Sequence, residues 1–440
     1  MGTCSTRVGE TPSKPADVTP PEPWQALAQG LGFANENERY WWSKLAPLAG
    51  KMMKWGQYST PEQYRVLAFI HAYIVPSCGP RPGDGGDLFW KVFLNYDCTP
   101  IQLSLNYHDG KMTLRTAHIP ISNISGTAED PINQKAAIDA MVRQQQVLPS
   151  QDMRWFNHFV SKLFLDRDTA ATLKAKVDEF QIRQGVQCML SHDFPDNHIQ
   201  CKLAFASHWK SIATGLDKEE VIWDAILGLG DDVIPYKPVL AMLQQYSTSK
   251  SAAAAGAHPI FFAIDSVLKD DYTSSRIKIY FVTHRTAFNV MVDIYTLGGL
   301  LMGPCIEKGT QALRTLWKAV LNVPEGWPDD KDLPINPNGC AAVIFNFEVR
   351  PGAEFPAPKI YLPAHYYGRP DLEIADGMDR FFLSQGWDGI YPGYKKNYLK
   401  CFMNSDNQLT AVHHDISFSF KGTNPYVTVY YKPELHLEAE

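Results

Sequence analysis

The sequence predicts an α+β fold: a ten-stranded antiparallel β-barrel ringed by α-helices. Three observations predict it. Runs that alternate apolar and polar residues come in adjacent pairs, turned by short signals such as Asp109-Gly110 and Asp196-Asn197. Helical stretches separate these pairs, giving a two-helices-then-two-strands unit used about five times. A single hairpin cannot bury both faces, whereas ten strands can close into a barrel with the helices wrapped outside.

Residues 1–21 are rich in Thr, Pro and Ser and are expected to be disordered; residues 22–440 are expected to form one barrel domain. From Trp24 the pattern turns helical, through Trp41-Trp42 and Leu45 to Met52-Met53. Pro61 opens a second helix with Thr60 as its cap, and Pro76 ends it. A Pro/Gly-rich loop, 79–86, leads to strands at 90–95, 101–107 and 112–117. Helices at 133–147, 155–165 and 168–183 precede strands at 186–194 and 199–205. Helices at 218–229 and 237–246 precede strands at 260–267 and 276–282. Helices at 286–297 and 307–321 precede strands at 341–349 and 358–362, and helices at 371–385 and 394–403 lead to strands at 411–420 and 426–431. The units share no obvious sequence identity, so the repeat is one of architecture. Two α/β domains would need parallel strands and single-helix crossovers, and the short hairpin turns argue against them.

The strand Ser275-Arg276-Ile277-Lys278-Ile279-Tyr280-Phe281 places Arg276, Lys278 and Tyr280 on one face and Ile277, Ile279 and Phe281 on the other. Two like charges about 7 Å apart repel, and no acidic residue on the same strand offsets them, so an anion bound to both would relieve the repulsion. Similar strands carry Arg115, Lys202 and Lys359-Ile360-Tyr361, and the last strand is rich in tyrosine. If these faces converge in one barrel interior, it holds Arg115, Lys202, Arg276, Lys278 and Lys359 with tyrosine hydroxyls as further donors. Guanidinium forks and ammonium points of this kind suit a diphosphate.

Composition narrows the partners. Net charge is −6, which gives no basic bias toward nucleic acid and makes these cations a local feature. Hydrophobic content of 45% and charged content of 20% fit a globular protein with a sizeable core. No apolar run reaches membrane-spanning length, and the expected location is the cytoplasm. The eight cysteines contain no Cys-x-x-Cys pair and are expected to be free thiols. Met1-Gly2-Thr3-Cys4-Ser5-Thr6 fits the short myristoylation pattern, with Cys4 as a second lipid position.

Several kinds of chemistry lack their residues. Asp231-Asp232, Asp270-Asp271 and Asp329-Asp330 have no third acidic partner of an Asp-Asp-x-x-Asp motif, so magnesium-bridged diphosphate binding is unsupported. No phosphate-cradling glycine loop and no Gly-x-Ser-x-Gly are present. His413-His414-Asp415 looks like a metal cluster, but neighbours on a strand point to opposite faces. Leu297-Gly298-Gly299 reads as a helix end, and Trp41-Trp42 as core.

From about Trp24 to Pro433 the chain resembles the fungal aromatic prenyltransferases of the dimethylallyltryptophan synthase type. The carriers are Arg39-Tyr40-Trp41-Trp42, Glu62-Gln63-Tyr64-Arg65 with Pro76 and Gly79-Pro80, Thr99-Pro100-Ile101-Gln102-Leu103-Ser104-Leu105-Asn106, Ser275-Arg276-Ile277-Lys278-Ile279-Tyr280, Thr296-Leu297-Gly298-Gly299 and Lys359-Ile360-Tyr361-Leu362-Pro363. The resemblance implies the ααββ prenyltransferase barrel and metal-independent transfer of a prenyl group, dimethylallyl or longer, from its diphosphate to an aromatic small molecule. The expected acceptor is an indole alkaloid or related secondary metabolite, with no cofactor required and a homodimer as a candidate assembly. It assigns Arg115, Lys202, Arg276, Lys278, Tyr280, Lys359 and Tyr361 to the prenyl diphosphate, with Tyr426 or Tyr430 from the last strand; Lys359 stands where relatives often have Gln.

Three positions depart from the family pattern. Gln102 replaces the glutamate that hydrogen-bonds an indole N–H and helps remove a proton; an amide accepts a hydrogen bond but is no base near neutral pH. Ala204 and Ala206 replace two tyrosines, which enlarges the pocket and thins the cation shield on that wall. These departures keep two alternatives open, a phenolic or polyketide acceptor and a prenyl diphosphate lyase or cyclase. A third, a binding protein that lost its chemistry, fits the retained cations least.

Overall fold

Ten strands hydrogen-bond edge to edge in one closed antiparallel ring: β1 (Ile101–His108), β2 (Lys111–His118), β3 (Cys188–Asp193), β4 (Gln200–Ala206), β5 (His258–Asp265), β6 (Ile277–Thr283), β7 (Val343–Val349), β8 (Ala357–Leu362), β9 (Ala411–Lys421) and β10 (Asn424–Pro433). Each strand neighbours the next in sequence, and β1 closes the ring on β10 with Leu103 opposite Tyr431. This computed structural model describes residues 21–148, 152–266, 275–334, 342–367, 369–422 and 424–437. The expected disorder of the first residues, the Gly2 and Cys4 lipid sites, Cys340 and Asp270-Asp271 lie outside the described residues.

Period-2 alternation divides each strand between lumen and helical layer. On β6, Ile277, Ile279 and Phe281 are fully buried on the outer face, as are Phe345 and Phe347 of β7 and Val427 and Val429 of β10. Helices Pro304–Val320 and Asp371–Ser384 supply Leu313, Trp317, Phe381 and Phe382 to the same core. From helix Met153–Leu163, Phe159 meets Phe205 and Phe262 with ring centroids 5.2 and 4.7 Å apart. Each such side chain contributes about 1.5–3 kcal/mol over exposure. Trp41 and Trp42 are core residues, and the Trp41 indole N–H donates to the Gly79 carbonyl at 2.9 Å. Gly79 has φ +76°, and a Cβ there would lie 2.5 Å from the Ile121 side chain, so that close approach requires glycine.

The structure corrects several sequence expectations. Residues 90–95 form no strand. The Asn95 side-chain amide donates to the carbonyls of Thr99 at 2.7 Å and Ile101 at 3.0 Å, and Cys98 turns the chain with φ +66°. The segment therefore folds across the end of the barrel. The helix expected over 168–183 is two, Arg167–Lys174 and Glu179–Gln184, because Asp178 caps the second by accepting from the Gln181 N–H at 2.8 Å. The first helical stretch is also two, Pro23–Gly30 and Glu36–Trp55, the latter capped by Asn35. Ser59 rather than Thr60 caps helix Thr60–Phe69, through a reciprocal pair with Glu62. Two short helices, His208–Thr214 and Lys250–Ala255, were not expected. Cys78, Cys98, Cys188, Cys201, Cys305 and Cys401 are free.

Candidate active site

The antiparallel ring gives the lumen two ends. One is formed where β3, β5, β7 and β9 finish and β4, β6, β8 and β10 begin. Most of the anticipated cations collect towards this end, but they do not stand alone. Asp193 accepts from Lys202 and lies 3.3 Å from Arg115 Nε. Asp265 accepts from Arg276 Nε and, at 2.7 Å, from Lys278 Nζ. Glu348 accepts from Arg276 at 3.0 Å and from Arg350 at 2.8 Å, with Lys421 Nζ 4.0 Å away. Lys359 has no carboxylate within ion-pair distance among the described residues; its Nζ sits 4.5 Å from the centre of the Tyr426 ring. The lysine Lys421 lies over the same ring at 4.3 Å.

Cross-strand register brings these groups within reach of one another. Arg115 stands opposite Asp193, Lys202 opposite Asp265, and Lys278 opposite Glu348. Six buried or half-buried cations thus gather around three carboxylates, five of them within ion-pair distance and Lys359 unpaired, which leaves an excess of positive charge. Burial favours their neutral forms. It pushes the Lys278 ammonium down to about 8 against the pull of Asp265. Lys359 is held well below the usual lysine range, first by burial and then by Arg115 and Lys421. Burial also works against the Arg115 and Arg276 guanidiniums, but Asp193 and Asp265 more than offset it and hold both above the usual arginine value. Burial would raise Asp265, yet Lys278 and Arg276 keep it below the ordinary carboxylate range. An incoming polyanion would find compensating charge already in place.

Next along the lumen comes a wall of tyrosines from β6, β8 and β10. Tyr280 and Tyr361 have ring centres 6.1 Å apart, and Tyr361 and Tyr430 5.8 Å. The Asn346 amide donates to the Tyr361 hydroxyl at 3.1 Å, and Tyr426 accepts from Arg115 while lying beneath its guanidinium. On β4, Ala204 is opposite Met189 on one side and Ala263 on the other, so an alanine pair on this wall leaves room beside one flexible methionine and no ring. Ala206 is opposite Phe261, whose ring stacks on Tyr280 at 4.2 Å and refills part of the room.

The other end holds Gln102, where β1 begins. Its Nε2 donates to the Asn95 side-chain oxygen at 2.8 Å and to the Leu94 carbonyl at 3.2 Å. Beside it Lys432, 1% exposed, pairs with Asp97 at 2.8 Å and Glu434 at 2.7 Å beneath the Tyr96 ring. His365, Tyr366 and His414 complete an aromatic cluster around Tyr96.

The sequence reading missed Asp193, Asp265, Glu348 and Lys421. Asp265 had a signal, since Phe261, Ala263 and Asp265 share one face by the period of two. Among the described residues no group of three His, Cys, Asp or Glu is placed to hold a metal, and no helix is long and apolar enough to cross a membrane. A separate cleft of about 630 Å3 opens among the outer helices and loops. Its lining has Arg143 against Glu38 and Asp139 and no aromatic ring, so the barrel remains the better site.

The chain matches the family model described as tryptophan dimethylallyltransferase over residues 37–397. It is 72% identical over 380 residues to an indole diterpene prenyltransferase of Hypoxylon pulicicidum, covering 86% of this chain and 88% of that protein. An indole diterpene prenyltransferase of Penicillium janthinellum is 53% identical over 420 residues, 95% of this chain and 96% of its own length. The crystal structure of NotF in complex with brevianamide F and DMSPP superposes with a TM-score of 0.79 at 25% identity, covering 94% of this chain and 99% of that one. With the closed barrel and its cationic lumen, these matches settle the assignment: the chain belongs to the tryptophan dimethylallyltransferase family and is an aromatic prenyltransferase.

Proposed function

We propose that this enzyme moves a prenyl group, dimethylallyl or longer, from its diphosphate to the indole of an indole diterpene, without a metal ion. The observation that carries the donor side is the set of six cations gathered around three carboxylates at one end of the lumen. Arg115, Lys202, Arg276, Lys278 and Lys359, joined by Lys421, hold the diphosphate, which carries roughly three negative charges at neutral pH. As the allylic C–O bond breaks, its electron pair stays on the diphosphate, where these groups stabilise the growing charge. Tyr280, Tyr361 and Tyr430 present π faces to the allylic cation and exclude water from it, while the Tyr426 hydroxyl holds Arg115 in place. The aromatic ring then attacks from the Gln102 end. The two relatives support an indole diterpene as the acceptor. The deciding experiment incubates the purified enzyme with dimethylallyl diphosphate and either an indole diterpene or tryptophan. Prenylated diterpene is the expected product; transfer to tryptophan alone would sink the acceptor assignment.

Turnover is expected to survive EDTA, because the lumen carboxylates are occupied by cations and the cations do a metal's work. Loss of activity on chelation, restored by magnesium, would count against this site.

The donor's kcat/KM is expected to fall as pH rises through about 8, where Lys278 loses its proton. The ammonium form binds the polyanion, so the sign is a loss at high pH. Lys278→Arg should move the decline to higher pH, and an identical profile in that variant would contradict it.

Ala204→Tyr fills the space between Met189 and Ala263. Steric overlap excludes a longer chain more than a shorter one. The variant is therefore expected to lose a ten-carbon donor preferentially over a five-carbon one. An unchanged donor ratio would show that Ala204 does not line the prenyl pocket.

A further inference from the structure

Electrophilic prenylation leaves an extra hydrogen on the substituted ring carbon, and a base must remove it. Gln102 cannot. Its amide nitrogen is engaged with Leu94 and Asn95, and an amide takes up no proton near neutral pH. Any base must come from elsewhere in the lumen, within reach of the same end.

A bulge between β9 and β10 supplies one. Val429 pairs with Ile416 but Tyr431 pairs with His413, so His414 and Asp415 together face Tyr430. The two histidines part company there. His413 turns outward, with Nδ1 2.5 Å from Asp371 and Nε2 2.8 Å from the Tyr394 hydroxyl. His414 turns toward the lumen cluster, its ring parallel to Tyr96 at 6.3 Å and edge-on to Tyr366 at 5.7 Å. Residues 94–96 therefore border both Gln102 and His414. His414 is 5% exposed; its Nδ1 lies 2.8 Å from an Asp415 carboxylate oxygen, and its buried Nε2 has no hydrogen-bond partner among the described residues. A carboxylate at Nδ1 fixes the tautomer with the proton on that side and leaves the Nε2 lone pair free, as a general base requires.

We propose that His414 Nε2, oriented by Asp415, is the proton acceptor of the transfer reaction; this rests on the prenylation reading above. The allylic C–O bond breaks with its electrons passing to the diphosphate. A π pair of the indole forms the new C–C bond. His414 Nε2 takes the proton from the substituted carbon, the C–H pair restores the aromatic sextet, and Asp415 balances the imidazolium. The proton leaves to solvent before the next turnover. The other ionisable groups around this cluster are His365, Tyr96, Tyr366, Asp97, Lys432 and Glu434, and Lys432 is already paired with both carboxylates.

The test uses the full-length enzyme, dimethylallyl diphosphate and an indole diterpene, unlabelled or perdeuterated on its indole ring. Wild-type turnover should fall on acidification, because a base that is already protonated cannot take the ring proton. His414→Gln should lower kcat on the order of 100-fold with little change in the donor KM, abolish that acid limb, and reveal a primary deuterium isotope effect. Asp415→Asn should give a smaller loss of the same kind, and His365→Gln should keep the acid limb. A wild-type profile without an acid limb overturns the assignment even if neither His414→Gln nor Asp415→Asn folds. So does a His414→Gln enzyme that keeps near-wild-type kcat, or one that loses turnover through donor KM alone with no isotope effect. If the wild-type enzyme prenylates no indole diterpene, the acceptor reading has failed, a result separate from any of these.

Discussion

Arg276→Ala is expected to lower kcat/KM for the prenyl donor on the order of 100-fold or more, with kcat falling as well as KM rising. One charge-assisted contact is worth about 1.5–3 kcal/mol, which alone gives roughly 10- to 150-fold. The environment adds to it. Arg276 bridges Asp265 and Glu348, so its removal leaves two carboxylates facing the place where diphosphate charge develops. Because that charge grows as the C–O bond breaks, the transition state suffers more than the bound donor. Steady-state kinetics with saturating acceptor measure the effect. A variant with an unchanged kcat and a modest KM increase would mean that Arg276 serves its carboxylates and not the donor.

Asp265→Asn is expected to cost about 3–5 kcal/mol of stability, since removing one partner strands the others as buried charges. The Asp265 side chain is fully buried and holds both Arg276 and Lys278. The amide keeps the shape and loses the charge. The stranded cations should then bind an anion more strongly, so inorganic diphosphate should raise the melting temperature of the variant more than that of the wild type. Thermal melts with and without diphosphate decide it. An unchanged melting temperature, or an equal diphosphate shift in both proteins, would refute the compensating role.

Much of this was legible in the chain because alternation is local. Arg276, Lys278 and Tyr280 declare a common face within five residues, and the shared lumen followed from closing such strands together. The carboxylates were not legible as partners because pairing is not local. Asp265 meets Arg276 and Lys278 only through the register of β5 on β6, and Arg115 meets Asp193 only where β2 meets β3. An apparently unpaired row of cations was therefore a half of an ion network. His414 was hidden differently. Strict alternation sends His413 and His414 to opposite faces and gives Asp415 the face of His413, whereas the bulge lets His414 and Asp415 act together opposite Tyr430. At 90–95 apolar and aromatic residues mimic a strand, and only the Asn95 and Cys98 geometry shows the chain turning across the barrel end.

The seam between β1 and β10 also decides when the molecule can finish folding. The Asn106 side chain bonds the Val427 carbonyl across 321 positions of the chain, so the first strand waits for the tenth to be synthesised. Until then β1 and the growing end of the sheet each present an unpaired edge, the kind of surface that templates aggregation. The entropy of closing so long a loop rises only with its logarithm, so the delay is set by synthesis and search more than by a final free-energy penalty. β10 also brings Tyr426, Tyr430 and Lys432. The step that removes the last open edge is thus the step that completes the lumen, and an incompletely folded chain has no finished cavity in which to release a reactive cation.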